Sequence, residues 1–283
     1  MKKIYLILAA MATYGLQAQY TQNFDTLTVG DYIGVEDPKW TTWSGAAGIG
    51  TIEDAQVTNT KSNSGAKSIY FNSTSTTGGP QDVVLDFGAA HNTGQLVYKH
   101  KIYVSAGKLA YFNFQSESTV GAQWAMDVNF QLDSSVVVSH QSNEVSSASF
   151  TPNTWVTFKL TVNLNTNIWE TFINGVSMGT FQNDAKKIAS LNIYPITGSE
   201  FWIDDVSFQH FPYTRPNLNG AVYRINVGRV AIDGANSLPA VSIRSLGTTT
   251  INSFDLTLDY NGKQEYSKIL SLKVKTYNFI SEI

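Results

Sequence analysis

The sequence predicts an all-β protein built as a sandwich, and three observations predict it. Short runs rich in Val, Ile, Tyr, Phe and Trp recur, several of them alternating apolar with polar residues, as at 95–104 and 156–162. Clusters of Gly, Ser, Asn and Pro separate the runs, for example Thr77-Gly78-Gly79-Pro80 and Ser105-Ala106-Gly107-Lys108. No stretch keeps a helical period over three turns, and 183–189 is the one place where a single helical turn is expected.

Along the chain, residues 1–18 read as an export signal. Lys2 and Lys3 form a positive start, 4–16 is a mostly apolar run too short to span a bilayer, and Ala18 is small enough to precede the cleavage bond. Strands are then expected at 68–71, 82–87, 95–104, 110–114, 124–132 and 155–164. The clearest hairpin covers 155–181: 156–162 alternates, 163–167 turns, 168–173 returns, and Asn174-Gly175 supplies the favoured two-residue turn into 176–179. Runs at 191–195 and 200–208 close a first domain, 19–210.

Pro212 and Pro216 mark an extended linker over 211–219. A second β-domain follows at 220–283, with strands expected at 222–232, 240–246, 252–260 and 268–277 and a second hairpin turn at Asn261-Gly262. About 65 residues fall short of the roughly 100 of an immunoglobulin-like sandwich. The expectation is a partial module, truncated or completed by a partner's strand.

Composition excludes whole classes of chemistry. Charged residues are 14% of the chain, against roughly 25% on average. The net charge is −3 and no basic run stands out, which argues against nucleic acid as a partner. With no Cys, disulfides, thiolate zinc sites and Cys nucleophiles are excluded. The leader places the protein outside the cell or on its surface, with no transmembrane segment expected in the mature chain.

A set of segments carries a resemblance. The opening Gln22-Asn23-Phe24-Asp25-Thr26-Leu27, the stretch Ser64-Gly65-Ala66-Lys67-Ser68-Ile69, the hairpin ending Ile173-Asn174-Gly175 and the closing Phe201-Trp202-Ile203-Asp204-Asp205-Val206 together resemble the concanavalin A-like (laminin G-like) jelly-roll superfamily over about residues 20–210. The closing segment also resembles the last strand of β-sandwich carbohydrate-binding modules. Residues 239–246, Gly247 and 253–260 resemble immunoglobulin-like adhesion modules, with Ser245 in place of the usual Asn. The layout is similar to the N-terminal parts of large secreted or surface proteins of Bacteroidetes-type bacteria.

The resemblance implies a jelly-roll β-sandwich followed by a short, truncated immunoglobulin-like sandwich. It also implies one structural calcium ion tying the first and last strands together, with Asp25 and Asp205 as carboxylate donors among six to eight oxygens. The plainer reading makes Asp204 and Asp205 outward residues flanking a turn. Glycosidases on this jelly roll carry a Glu-x-Asp-x-x-Glu strand that supplies nucleophile and acid. That spacing is absent here: Glu53-Asp54, Glu117, Glu144 and Glu170 are isolated, and Glu200 with Asp204 lacks the third carboxylate. His91, His100, His140 and His210 are dispersed without zinc spacing, and Gly-x-Ser-x-Gly, phosphate-loop and dinucleotide motifs are missing.

Aromatics are the best handle on a ligand, since sugar C–H faces stack on Trp while Asn, Gln and Asp bond the hydroxyls. Trp40, Trp43 and Trp124, near Gln115, Gln123 and Asn129, are the candidate platform; Trp155, Trp169 and Trp202 read as core. The leading function is therefore an exported, non-catalytic carbohydrate-binding or adhesion module that contacts a glycan or an extracellular protein. The alternatives are part of a secreted hydrolase and a structural surface scaffold.

Overall fold

A computed structural model describes residues 20–214 and 246–249, and the backbone of 220–226, 240–245, 253–260 and 263–271. The leader at 1–18 and the Asn261-Gly262 turn lie outside the described residues. Fifteen strands lie among the described residues of the first unit. They are β1 (Tyr20–Gln22), β2 (Trp40–Thr42), β3 (Val57–Thr58), β4 (Ser68–Asn72) and β5 (Val83–His91). Then come β6 (Gln95–Val104), β7 (Ala110–Gln115), β8 (Trp124–Phe130), β9 (Ser135–His140) and β10 (Asn143–Ser149). The last are β11 (Trp155–Asn163), β12 (Ile168–Ile173), β13 (Val176–Phe181), β14 (Ile188–Ile193) and β15 (Glu200–Phe211).

These strands form two antiparallel sheets. One runs β13-β12-β11-β6-β15-β4-β3, with β1 added to β15; the other runs β10-β9-β8-β7-β14-β5-β2. The sheets face each other as a jelly-roll sandwich, the architecture the sequence predicts. Alternation makes this possible: in β11, Val156, Phe158, Leu160 and Val162 are buried while Thr157, Lys159 and Thr161 look outward. The interior is largely aromatic. Phe158 meets Phe112 at 5.0 Å between ring centroids, Tyr98 meets Phe114 at 5.2 Å, and Phe87 meets Phe208 at 4.8 Å. Each fully buried Phe contributes about 2–3 kcal/mol of transfer free energy, so this layer dominates the fold's stability.

The Asn174-Gly175 turn forms as its sequence predicts, with φ of 49° and 83° at its two residues. The helical turn expected at 183–189 does not form. Residues 183–187 make an irregular turn, and Ile188–Ile193 is an all-buried strand between β5 and β7, so tertiary pairing decides the segment. A single helical turn lies instead at Ile33–Glu36. Strands β9 and β10 were not expected either.

The chain divides between Tyr213 and Thr214 into two units. In the second, β16 (Gly220–Asn226) pairs antiparallel with β17 (Ala240–Ser245), and β18 (Ser253–Tyr260) with β19 (Lys263–Ser271). No helix among the described residues is long and apolar enough to cross a membrane.

One buried group couples the core to pH. His100 is inaccessible to solvent, stacked on Phe158 at 5.5 Å and placed edge-on to Phe112. Its Nδ1 lies 2.7 Å from the Tyr98 hydroxyl, and its Nε2 meets no partner. Burial alone pushes its pKa down to about 3. A depressed histidine contributes fully above the unfolded value near 6.5, and its contribution is lost as pH falls toward 3, because only the unfolded chain takes the proton. Urea unfolding should therefore show His100→Phe losing about 2 kcal/mol less than the wild type between pH 7 and pH 5. Equal losses in the two proteins would remove His100 as the cause.

Candidate functional site

Because side chains alternate, the seven-stranded sheet has a second, outward set of rows. Thr41, Val84, Asn192, Asn113, Asp127, Ser139 and Glu144 form one row across all seven strands in register. A neighbouring row brings Asp86, Ser190, Gln115 and Trp124 together, and Tyr111 pairs with Asn129 on the other side. This face is polar where the opposite one is aliphatic and aromatic.

Three amides at its centre are almost completely buried, at 1% exposure for Asn113, 0% for Gln115 and 2% for Asn192. Burying an amide without partners costs about 1–3 kcal/mol, so each must be satisfied. They satisfy one another in a continuous chain. The Gly121 N–H donates to Gln115 Oε1 at 3.0 Å, and Gln115 Nε2 donates to Asn113 Oδ1. Asn113 Nδ2 donates to Asn192 Oδ1 at 2.7 Å, and Asn192 Nδ2 donates to Asp82 Oδ1 at 2.6 Å. Burial, with Glu53's charge adding to it, pushes Asp82 up to about 6.

Two loops cover these amides. The loop after β2 is anchored at both ends, by Trp43 N–H to Asp82 O at 2.8 Å and Asp82 N–H to Glu53 O at 2.7 Å. Buried Asp54 braces it, accepting the N–H groups of Gly50 and Ala55 and that of Gly34 in the helical turn. The loop at 116–123 meets it through Gly121, whose φ is 81° and where a Cβ would lie 2.7 Å from Trp43 Cζ2; only glycine fits. Trp43 in turn lies 5.7 Å from Trp124, ring to ring. The two indoles are 36% and 41% exposed and form one apolar platform at the edge of a polar face.

Beside the platform lies a cavity of about 490 Å³, lined by Tyr111, Trp124, Ala125, Met126, Asp127, Gln141 and Ser142. Tyr111 donates its hydroxyl to Asp127 Oδ1 at 2.6 Å. Burial raises the pKa of both, and Asp127's charge pushes the phenol further, so Tyr111 stays protonated. Gln141 and Ser142 are the two turn residues between β9 and β10, with φ of 50° and 63°. A tight turn of this type favours Asn-Gly, as at Asn174-Gly175, and a left-handed residue without that chemistry costs about 1–2 kcal/mol. Strain of this kind concentrates where side chains serve a ligand.

The candidate platform thus divides. Trp43 and Trp124 come together at the surface. Trp40 does not join them: it is 1% exposed, sits on the inward row of β2 opposite Leu85, and donates its Nε1 to Tyr20 Oη at 2.5 Å. Strand parity makes Trp40 core, while Trp43 lies past the strand's end. Of the tryptophans read as core, Trp169 and Trp202 are buried and Trp155 is half-buried on the outer face of the other sheet. Gln141 and Ser142 gave no signal in the sequence beyond a Gln-Ser pair standing between two Val- and Ser-rich runs.

The candidate calcium donors do converge on one loop. A bulge in β15 between Asp204 and Ser207, with Asp205 at φ 49°, turns both carboxylates toward 61–67. Their oxygens all meet donors of the chain: Asp204 accepts the N–H groups of Asn63, Ser64 and Asp205, and Asp205 accepts Asn63 Nδ2 and the Ser64 hydroxyl. Asp25 accepts the N–H groups of Ala66 and Lys67 and the side-chain amide of Asn23. The Lys67 ammonium bonds the backbone carbonyls of Asp25, at 2.9 Å, and Leu27. In this arrangement the carboxylates clamp N–H donors and an ammonium holds the carbonyls, so the residues do not fit a calcium cage of six to eight oxygens. Among the described residues no group of three or more His, Cys, Asp or Glu side chains gathers to hold a metal.

No family model matches the sequence, and no curated protein matches it. Solved structures share its outline at very low identity. A sialidase is 11% identical with a TM-score of 0.47, over 68% of this chain and only 18% of that one. The Emp46p carbohydrate recognition domain is 13% identical with a TM-score of 0.45, over 69% of this chain and 98% of that one. A galectin-like protein of unknown function from Bacillus subtilis is 9% identical with a TM-score of 0.47, over 70% and 97%. These likenesses are of overall fold, and no residue role is carried over from them.

Proposed function

We propose that the sandwich is a carbohydrate-binding module of an exported protein, with its ligand on the outer face of the seven-stranded sheet. One observation carries the reading: Trp124, half-exposed and in contact with the Trp43 indole, lines a cavity together with the Tyr111 hydroxyl, the Asp127 carboxylate and the Gln141 and Ser142 side chains of a strained turn. An indole face suits the C–H face of a pyranose, and Tyr111, Asp127, Gln141 and Ser142 can bond its hydroxyls. The buried amide chain holds this surface rigid, so little ordering entropy is spent on binding. The second unit is read as an immunoglobulin-like spacer, and the leader as a route to the cell surface or beyond.

A glycan array on the full chain, followed by calorimetry with any oligosaccharide retained, tests the site. Trp124→Ala should weaken binding by about tenfold or more, equivalent to about 1.4 kcal/mol. Unchanged affinity would place the ligand elsewhere. The double variant Gln141→Asn, Ser142→Gly should gain about 1–2 kcal/mol of stability by relieving the turn while losing affinity. A variant that is both more stable and equally tight would show the strain to be unconnected with the ligand.

The calcium expectation has its own test. A clamp made of N–H donors and Lys67 predicts the same Tm, within about 1–2 °C, in calcium and in EDTA, and a loss of about 1–2 kcal/mol in Lys67→Met. A rise of several degrees with calcium would restore the metal.

A further inference from the structure

The outer face of the eight-stranded sheet carries an arrangement that folding alone does not ask for. Lys99 on β6 and Lys159 on β11 are direct cross-strand partners, and Lys101 lies one outward row away on β6. Like charges opposed on a sheet are destabilising. None of the three forms an ion pair among the described residues, nor does Lys61 in the adjoining loop. No acidic side chain of the face comes within ion-pair distance of them: Glu170 accepts the Ser177 hydroxyl, Glu200 accepts the Tyr70 hydroxyl, and Asp204, opposite Lys101 in register, is buried in its clamp.

The same face bears an aromatic row in register across four strands, Tyr70, Trp202, Tyr103 and Trp155. Their rings are linked at 4.8, 5.6 and 5.7 Å. Lys61 Nζ lies 4.5 Å above the Tyr103 ring and 4.8 Å from that of Trp202, and Lys159 Nζ lies 4.4 Å above Phe172. The ammonium groups are thus spread over a ring-lined surface roughly 15 Å across, taking about 4.8 Å per strand, with Lys99 and Lys101 about 7 Å apart along β6.

We propose that this face is a second binding surface, opposite the first, for an anionic polysaccharide carrying carboxylate or sulfate groups along its chain. Lys99, Lys101 and Lys159 pair with the anions, and the half-buried rings of Tyr103 and Trp155 meet the sugar faces. Charge complementarity makes the commitment. The opposed lysines raise the energy of the free face, and a row of anions lowers it. The flat rows that carry the lysines present no large exposed apolar side chain that would enter a bilayer.

Affinity electrophoresis of the full chain in gels containing polygalacturonate, chondroitin sulfate or neutral dextran tests this. Retardation is expected in at least one polyanion and not in dextran, and it should disappear at high salt. Lys99→Glu should weaken it about tenfold while holding or raising Tm, because it turns an opposed like pair into an opposite one; a purely structural lysine would instead lower Tm. Lys39→Glu, in the turn that leads into β2 of the other sheet, makes the same change in net charge and should leave retardation within about twofold. An equal loss in Lys39→Glu, equal retention by phosphatidylserine vesicles or by a DNA duplex, or no retardation by either polyanion would overturn the proposal. Its result is independent of Trp124, so failure at one face leaves the other standing.

Discussion

The two-residue period of the β-strand is the constraint from which the rest of this structure follows. Once alternate residues of fifteen strands are committed to a shared aromatic interior, the remaining residues are forced into rows on two outer faces. Those rows are assembled by register and not by sequence proximity. Asn113 and Asn192 become neighbours across 79 positions because β7 and β14 pair, and Lys99 meets Lys159 because β6 and β11 do. Both candidate surfaces are by-products of that parity. One is an amide-rich row under a tryptophan platform, and the other is a lysine-rich row beside an aromatic band.

The same constraint decides what could be read from the chain. Alternation in 95–104 and 156–162, and Asn-Gly at 174–175, are local signals, and the corresponding strands and turn form. The β9–β10 hairpin was hidden because its turn is Gln-Ser, which lacks the residues that favour positive φ. The segment at 183–189 contains Lys and Ala, but it is an irregular turn whose last two residues begin β14, a strand paired with β5 and β7. Trp40 and Trp43 look alike in sequence, and only the register of β2 separates a core residue from a surface one. Asn113, Gln115 and Asn192 were visible as polar residues within strands. Their mutual hydrogen bonding was not, since it depends on partners brought in from another strand. Asp25 and Asp205 were placed near one another by resemblance; what their oxygens bond was settled by the path of 61–67.

Rigidity is obtained by different means at the two ends of the sandwich. Where β1 and β15 meet the loop at 61–67, carboxylates gather backbone N–H groups and Lys67 gathers carbonyls, a closed set of charge-assisted bonds. At the tryptophan platform, side-chain amides do the work beneath two covering loops, and Gly121 lets the loops touch. In both cases a buried polar group is tolerated because every acceptor has a donor, and the loops are fixed without a disulfide.

The amide chain has a property that follows from its two ends. An amide's oxygen and nitrogen are nearly alike in shape, so it is the hydrogen-bond partners that fix which way round an Asn or Gln sits. Here one terminus is a backbone N–H, which can only donate, and the other is a carboxylate, which when ionised can only accept. Those ends impose a single polarity on Gln115, Asn113 and Asn192, and no one of them can invert alone. Gaining a proton at Asp82 would loosen one end, while the Gly121 N–H and the Val83 carbonyl, which also accepts Asn192 Nδ2 at 3.3 Å, keep the sense of the chain. The sheet face is therefore a one-way array whose sense is written by its boundaries.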